Sequence, residues 1–190
     1  MNQKNKLQLM TLSALLSAIG ILIPMFAPKI ILGPASYTLA SHVPIFIAMF
    51  ISPYVAIAVA IISGLGFLIS GFPIVIVLRA LSHIVFAAIG AFMLKKNGNL
   101  LSSPKSTVLF GLFVSLIHAV MEVGVVTFFY WGSGMTSAYY EKGYLFAVIG
   151  LVGLGTVIHS MIDFTIALFV WNPLQQIVSV PASVRKIRSK

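Results

Sequence analysis

Long apolar runs, interrupted by only a handful of ionisable side chains, constrain this chain more than any other feature. Leu7–Met25 carries no charge at all, while Pro73–Leu94 and Thr107–Trp131 hold two ionisable groups each. Charged residues make up 8% of the chain, against roughly 25% in soluble domains. A mean hydropathy of +1.08 makes lipid the solvent. Inside a bilayer every backbone N–H and C=O needs a partner within the protein, so only helices or closed barrels cross it. Runs of this length predict helices. The fold class expected is an all-α membrane protein, a compact bundle of six transmembrane helices forming a single domain over 1–190.

The breakers divide the chain. Helix 1 is expected over Leu7–Met25, followed by a Pro- and Gly-rich loop, Ala27–Thr38. Helix 2 is expected over Leu39–Ile51 and helix 3 over Pro53–Ser70, both short of the roughly 20 residues a crossing takes. Pro44 suits a partial break in helix 2. Gly71-Phe72-Pro73 is a turn, and helix 4 runs from there to Leu94. Helix 5 covers Thr107–Trp131, a polar loop spans Gly132–Gly143, and helix 6 runs from Tyr144 to Trp171, with a kink at Pro173. The N-terminal run is read as a retained helix, because Ala27-Pro28-Lys29 is a poor cleavage context.

Six crossings place both termini on one side. Nine basic residues (Lys4, Lys6, Lys95, Lys96, Lys105, Arg185, Lys186, Arg188 and Lys190) share that side, against Lys29 and Lys142 on the other. By the positive-inside rule both termini are cytoplasmic, in a multi-pass protein of the cell membrane. The formal net charge of +9 therefore reports topology, and no nucleic-acid partner is expected.

Three of the apolar runs carry a histidine four residues from a charged group: Arg79/His83, His118/Glu122 and His159/Asp163. Ionisable groups at membrane depth are expensive and face a bundle interior or a wet cavity. At 1.5 Å per residue, Arg79 lies about 9 Å and His83 about 15 Å inside the outer surface, with Glu122 about 13 Å from it. A pocket in the outer half follows, with Arg79, Glu122 and His83 as candidate binding residues. Tyr37, His42, Trp131, Tyr139, Tyr140 and Lys29 are expected to close over it. Arg79 offers a planar fork suited to a carboxylate, and Glu122 an acceptor for a ring N–H or hydroxyl. A purely structural Arg79–Glu122 ion pair is the plainer alternative. By the same count Asp163 lies nearer the cytoplasm and His159 around the middle, and with Ser160 they are expected to form a buried structural cluster rather than a ligand site.

Absences narrow the function. The chain has no cysteine, and hence no thiolate metal site or Cys nucleophile. GxxxxGK[ST], HExxH and GxSxG are all missing. No catalytic residue, metal site or cofactor is expected, and any work drawn from ATP must come from a partner. On helix 1, Ser13, Ala14, Ser17 and Ala18 form two overlapping small-xxx-small pairs, which let another helix approach closely. That helix belongs either to this bundle or to a separate membrane subunit.

Ala14-Leu-Leu-Ser-Ala18 on helix 1, the run from Pro34 to Pro53 and the run Gly71–His83 together resemble the substrate-binding S components of energy-coupling factor (ECF) vitamin transporters, most closely the branch assigned to niacin. The resemblance implies a subunit that captures a vitamin from outside. It implies as partners a membrane coupling subunit, met at Ala14 and Ala18, and two cytoplasmic ATPase subunits. It also implies a pocket built from the outer parts of helices 4, 5 and 6 and the first loop. Pantothenate and pyridoxine or hydroxymethylpyrimidine compounds stand as alternative cargo. A stand-alone proton-coupled transporter using His159 and Asp163 is the rival mechanism.

Overall fold

The computed structural model of the chain describes residues 3–32 and 35–177. Its helices are α1 (Gln3–Phe26), α2 (Val43–Ile51), α3 (Pro53–Ile69), α4 (Ile74–Lys96), α5 (Pro104–Trp131), the short α6 (Ser137–Lys142) and α7 (Gly155–Ile177). A π-helical segment, Leu145–Leu154, runs straight into α7. Among the described residues four helices are long and apolar enough to cross a membrane: Asn5–Phe26, Ile74–Lys96, Pro104–Trp131 and Leu145–Gln176. The protein is therefore an all-α membrane protein with a small β element. Arg185, Lys186, Arg188 and Lys190, on which the expected sidedness draws, lie outside the described residues, as does Pro34.

Local chemistry sets most boundaries. Ser52 ends α2 and caps α3: its backbone is extended, its hydroxyl accepts from Val55 N at 3.3 Å, and Pro53 occupies the first turn. Ser103 and Pro104 repeat that device at the start of α5. Gly71 takes φ +77 in the α3–α4 turn, where a side chain would be strained.

Three segments depart from the sequence expectation. The Ala27–Thr38 loop contains an antiparallel hairpin, β1 (Lys29–Leu32) paired with β2 (Ala35–Thr38). The Gly132–Gly143 loop contains α6. The second helix begins at Val43 rather than Leu39, with Pro44 in its first turn. Only nine residues remain to α2, about 14 Å of helix against a hydrocarbon core of about 30 Å.

That short helix decides the architecture. All nine residues of α2 are buried, and α1, α3, α4 and α7 pack around it. Phe46 and Phe50 meet Phe86, Phe164 and Trp171 in the main core. Above the N-terminus of α2 the chain is not helical. The turn Ala40–His42 and the hairpin occupy that half of the bundle instead, and the space they leave is the cavity described next.

Candidate functional site

Non-helical backbone at membrane depth persists only where the protein satisfies it. Asp163 of α7, fully buried, does this for the turn. Its carboxylate accepts from Ala40 N at 2.8 Å, from His42 N at 2.9 Å and from His42 Nδ1 at 3.0 Å. Ala40 takes the left-handed conformation, φ +65. The carboxylate also sits at the N-terminal end of α2, where the helix dipole favours negative charge. Ser41 Oγ lies 3.1 Å from His159 Nε2 and 3.2 Å from His42 Nδ1. The hairpin is tied to the same helix, because the Tyr37 hydroxyl donates to Leu151 O in the π-helical segment. Burial pushes the Tyr37 phenol up to about 12, with Arg79 opposing, so it stays a neutral donor.

Glu122 of α5 anchors the opposite wall. It pairs with Arg79 Nε of α4 and lies 3.1 Å from His83 Nε2. His118 Nε2 is 3.6 Å away, too far for a hydrogen bond. Glu122, His83 and His118 are buried. Arg79 meets Glu122 through Nε alone, which leaves its terminal amino groups for another partner.

His42 joins the two walls. Its ring centroid lies 4.8 Å from that of His83, 4.6 Å from His118 and 5.0 Å from His159. These rings and Tyr37, Lys29, Arg79 and Glu122 line a cavity of about 130 Å³. A pocket of about 150 Å³ accepts one benzene ring, so the space suits a single small ring. Ile45, Phe67, Phe72 and Ile76 supply its apolar walls. Among its lining residues the formal charges are Lys29, which is exposed, and the paired Arg79 and Glu122, with the Asp163 carboxylate 3.0 Å behind His42. The cavity lies toward the end of the bundle away from Lys6 and Lys95.

Of the residues expected in the pocket, the structure brings Arg79, Glu122, His83, Tyr37 and His42 together, with Lys29. Trp131, Tyr139 and Tyr140 do not line the cavity. Trp131 is 72% exposed and lies beside Tyr130 and Tyr144. Tyr140 bonds the loop it sits in, through Tyr130 O and Met135 N. Tyr139 is buried with Val126, Ala147 and Val152, and that burial raises its phenol. α6 packs Tyr139 and Tyr140 against α5 and the π-helical segment, with Tyr139 close enough to Arg79 and Glu122 to feel their charges.

His118, His159, Ser41, Ser63 and Thr156 also line the cavity, beyond the residues expected. Asp163 and His159 do not form a separate cluster, because His42 bridges them to the Glu122 side. Counting at 1.5 Å per residue separates these depths for two reasons. The π-helical segment packs more residues into each unit of length, and the turn carries His42 inward. Pro44 was the available signal, since it marks a helix start at membrane depth and hence a loop needing a buried acceptor.

On α1 the two small-residue pairs separate. Ser17 is buried, whereas Ala14 and Ala18 are exposed. An open groove of about 820 Å³ runs beside Ala14, lined by Met10, Tyr54, Ala58 and Ile62, with Lys6 and Lys95 at its edges.

The chain is 41% identical over 175 residues to the curated "Niacin transporter NiaX" of Lactococcus lactis subsp. cremoris (strain MG1363), an alignment covering 92% of this chain and 78% of that protein. No family model matches the chain. No solved structure matches it.

Proposed function

This chain belongs to the family of the niacin transporter NiaX, and from that premise we propose that it is the niacin-binding S component of an ECF-type importer. Niacin is a flat pyridine bearing one carboxylate. The observation carrying the assignment is a ring-sized cavity lined by Arg79, whose Nε is held by Glu122 and whose terminal amino groups are left for a further acceptor. The free terminal amino groups of Arg79 take the carboxylate as a fork, while Glu122 holds the guanidinium in place. The imidazoles of His42, His83 and His118, with Tyr37, form the slot for the ring. Pantothenate, a longer flexible acid, overfills such a space. Pyridoxine is neutral and offers no carboxylate to the guanidinium.

The vitamin enters from outside and is covered by the hairpin. In the bundle the short α2 and α3 complete six crossings, with both termini cytoplasmic. Capture needs no ATP. Transport needs a membrane coupling subunit, docking on the outward face of α1 at Ala14 and Ala18 and the neighbouring groove, and two cytoplasmic ATPase subunits. The two alanines on that face let the helices approach closely.

One observation favours a second reading. The four histidines lie in one connected group with Asp163, which suits proton-coupled uptake. Uptake by the chain alone, abolished by an uncoupler and indifferent to ATP, would establish it.

The deciding experiment is calorimetric titration of the purified chain with niacin, pantothenate and pyridoxine. Tight binding of niacin alone is expected. Arg79→Ala is expected to abolish it with the chain still folded, at a lowered thermal unfolding midpoint because the buried Glu122 loses its partner. Equal affinity for niacin in wild type and Arg79→Ala removes Arg79 from the site.

A further inference from the structure

His42, His83 and His118 come from three different elements, the start of α2, α4 and α5, yet one ring nitrogen of each lies within 4.8 Å of the others. The rings stand edge-on to one another, with centroids 4.6, 4.7 and 4.8 Å apart. All three line the cavity. His118 is the telling member: it is wholly buried, its Nε2 lies 3.6 Å from Glu122 Oε1, and its Nδ1 has no partner. A buried polar group in a native fold is nearly always satisfied, so this imidazole is short of a ligand.

The other two rings are oriented as metal ligands commonly are. A ligating imidazole usually gives its second N–H to a carboxylate, which fixes the tautomer and leaves the other nitrogen's lone pair for the ion. His42 Nδ1 has Asp163 at 3.0 Å, and His83 Nε2 has Glu122 at 3.1 Å. As carboxylates these only accept, so each of those ring nitrogens carries the hydrogen. Each ring thus keeps one lone pair uncommitted.

We propose that the cavity binds one divalent transition-metal ion of the Zn²⁺, Ni²⁺ or Co²⁺ class through His42, His83 and His118. An all-imidazole donor set selects this class over Mg²⁺ or Ca²⁺, which prefer oxygen. Tetrahedral zinc, with Zn–N of about 2.1 Å, sets its nitrogens about 3.4 Å apart, so the rings draw slightly inward on the ion. Three protein ligands leave a position open to a further nitrogen or oxygen from solvent or cargo. A second group, His42, His159 and Asp163, also has the required spacing. It is the weaker site, because both oxygens of Asp163 are already engaged by Ala40 N and His42. Spacing alone offers no reason to expect a metal, since the three histidines are far apart in the chain and share no ligand spacing. Binding of the ion does not depend on the vitamin reading.

The test uses the full chain without a histidine tag, purified in detergent and stripped by a chelator. Titration with Co²⁺ in the absence of niacin is followed in the visible spectrum, with Zn²⁺ as competitor. Saturation at one ion per chain, low-coordinate absorption bands and displacement by Zn²⁺ are expected. His118→Ala is expected to weaken Co²⁺ roughly a hundredfold or more. Wild-type protein that takes up no stoichiometric Co²⁺ or Zn²⁺ overturns the proposal without any variant. So does Co²⁺ affinity unchanged in His118→Ala, which would place the ion on His159 and Asp163.

Discussion

At the scale of single residues, the site turns on how one guanidinium is shared. Glu122 takes Arg79 Nε, and the two terminal amino groups stay available. A lysine keeps the charge at this position but offers a single point in place of a fork. Arg79→Lys is therefore expected to retain niacin binding at roughly tenfold or more reduced affinity, about 1.4 kcal/mol or more, measured by calorimetry. A fully retained affinity would show that charge alone is read there. Arg79, Glu122 and His83 were legible in the sequence because ionisable groups are so rare in these runs that depth and periodicity pair them. His118 was visible as a neighbour of Glu122, but that its Nδ1 would have no partner was not. Such an accounting needs every surrounding side chain in place.

At the scale of elements, the half-length α2 and the turn before it carry the site. Asp163 holds two backbone N–H groups and one imidazole of that turn. Removing the carboxylate strands buried donors, each at about 1–3 kcal/mol. Asp163→Ala is accordingly expected to lower the thermal unfolding midpoint clearly and to abolish niacin binding, with Asp163→Asn intermediate because its amide oxygen still accepts. Unimpaired binding in Asp163→Ala would separate the turn from the site. Helix positions were readable from apolar runs and from the Ser-Pro starts at Ser52 and Ser103. The hairpin was not: Lys29–Leu32 is exposed throughout, and the alternation of Ala35–Thr38 lasts only four residues. The π-helical segment was hidden too, since Leu145–Leu154 reads like any other apolar run and Gly150, Gly153 and Gly155 give no period.

At the scale of the whole molecule, the cavity and the open groove on α1 occupy opposite ends. The cavity lies beneath the hairpin, while the open groove beside Ala14 has Lys6 and Lys95 at its edges. Ala14 and Ala18 point outward, and Ser17 faces the bundle. Ala14→Leu or Ala18→Leu is therefore expected to leave niacin affinity within about twofold of wild type, a few tenths of a kcal/mol, while stopping ATP-driven uptake in vesicles carrying the complete complex. Loss of binding in these variants would place that face inside the bundle's own packing. The hairpin's ties described above, Tyr37 to Leu151 and the turn to Asp163, run to one continuous helix from Leu145 to Ile177. Lid and last helix are thus a single mechanical part: tilting that helix carries the cover with it, so the outer door opens only as far as the innermost wall is willing to swing.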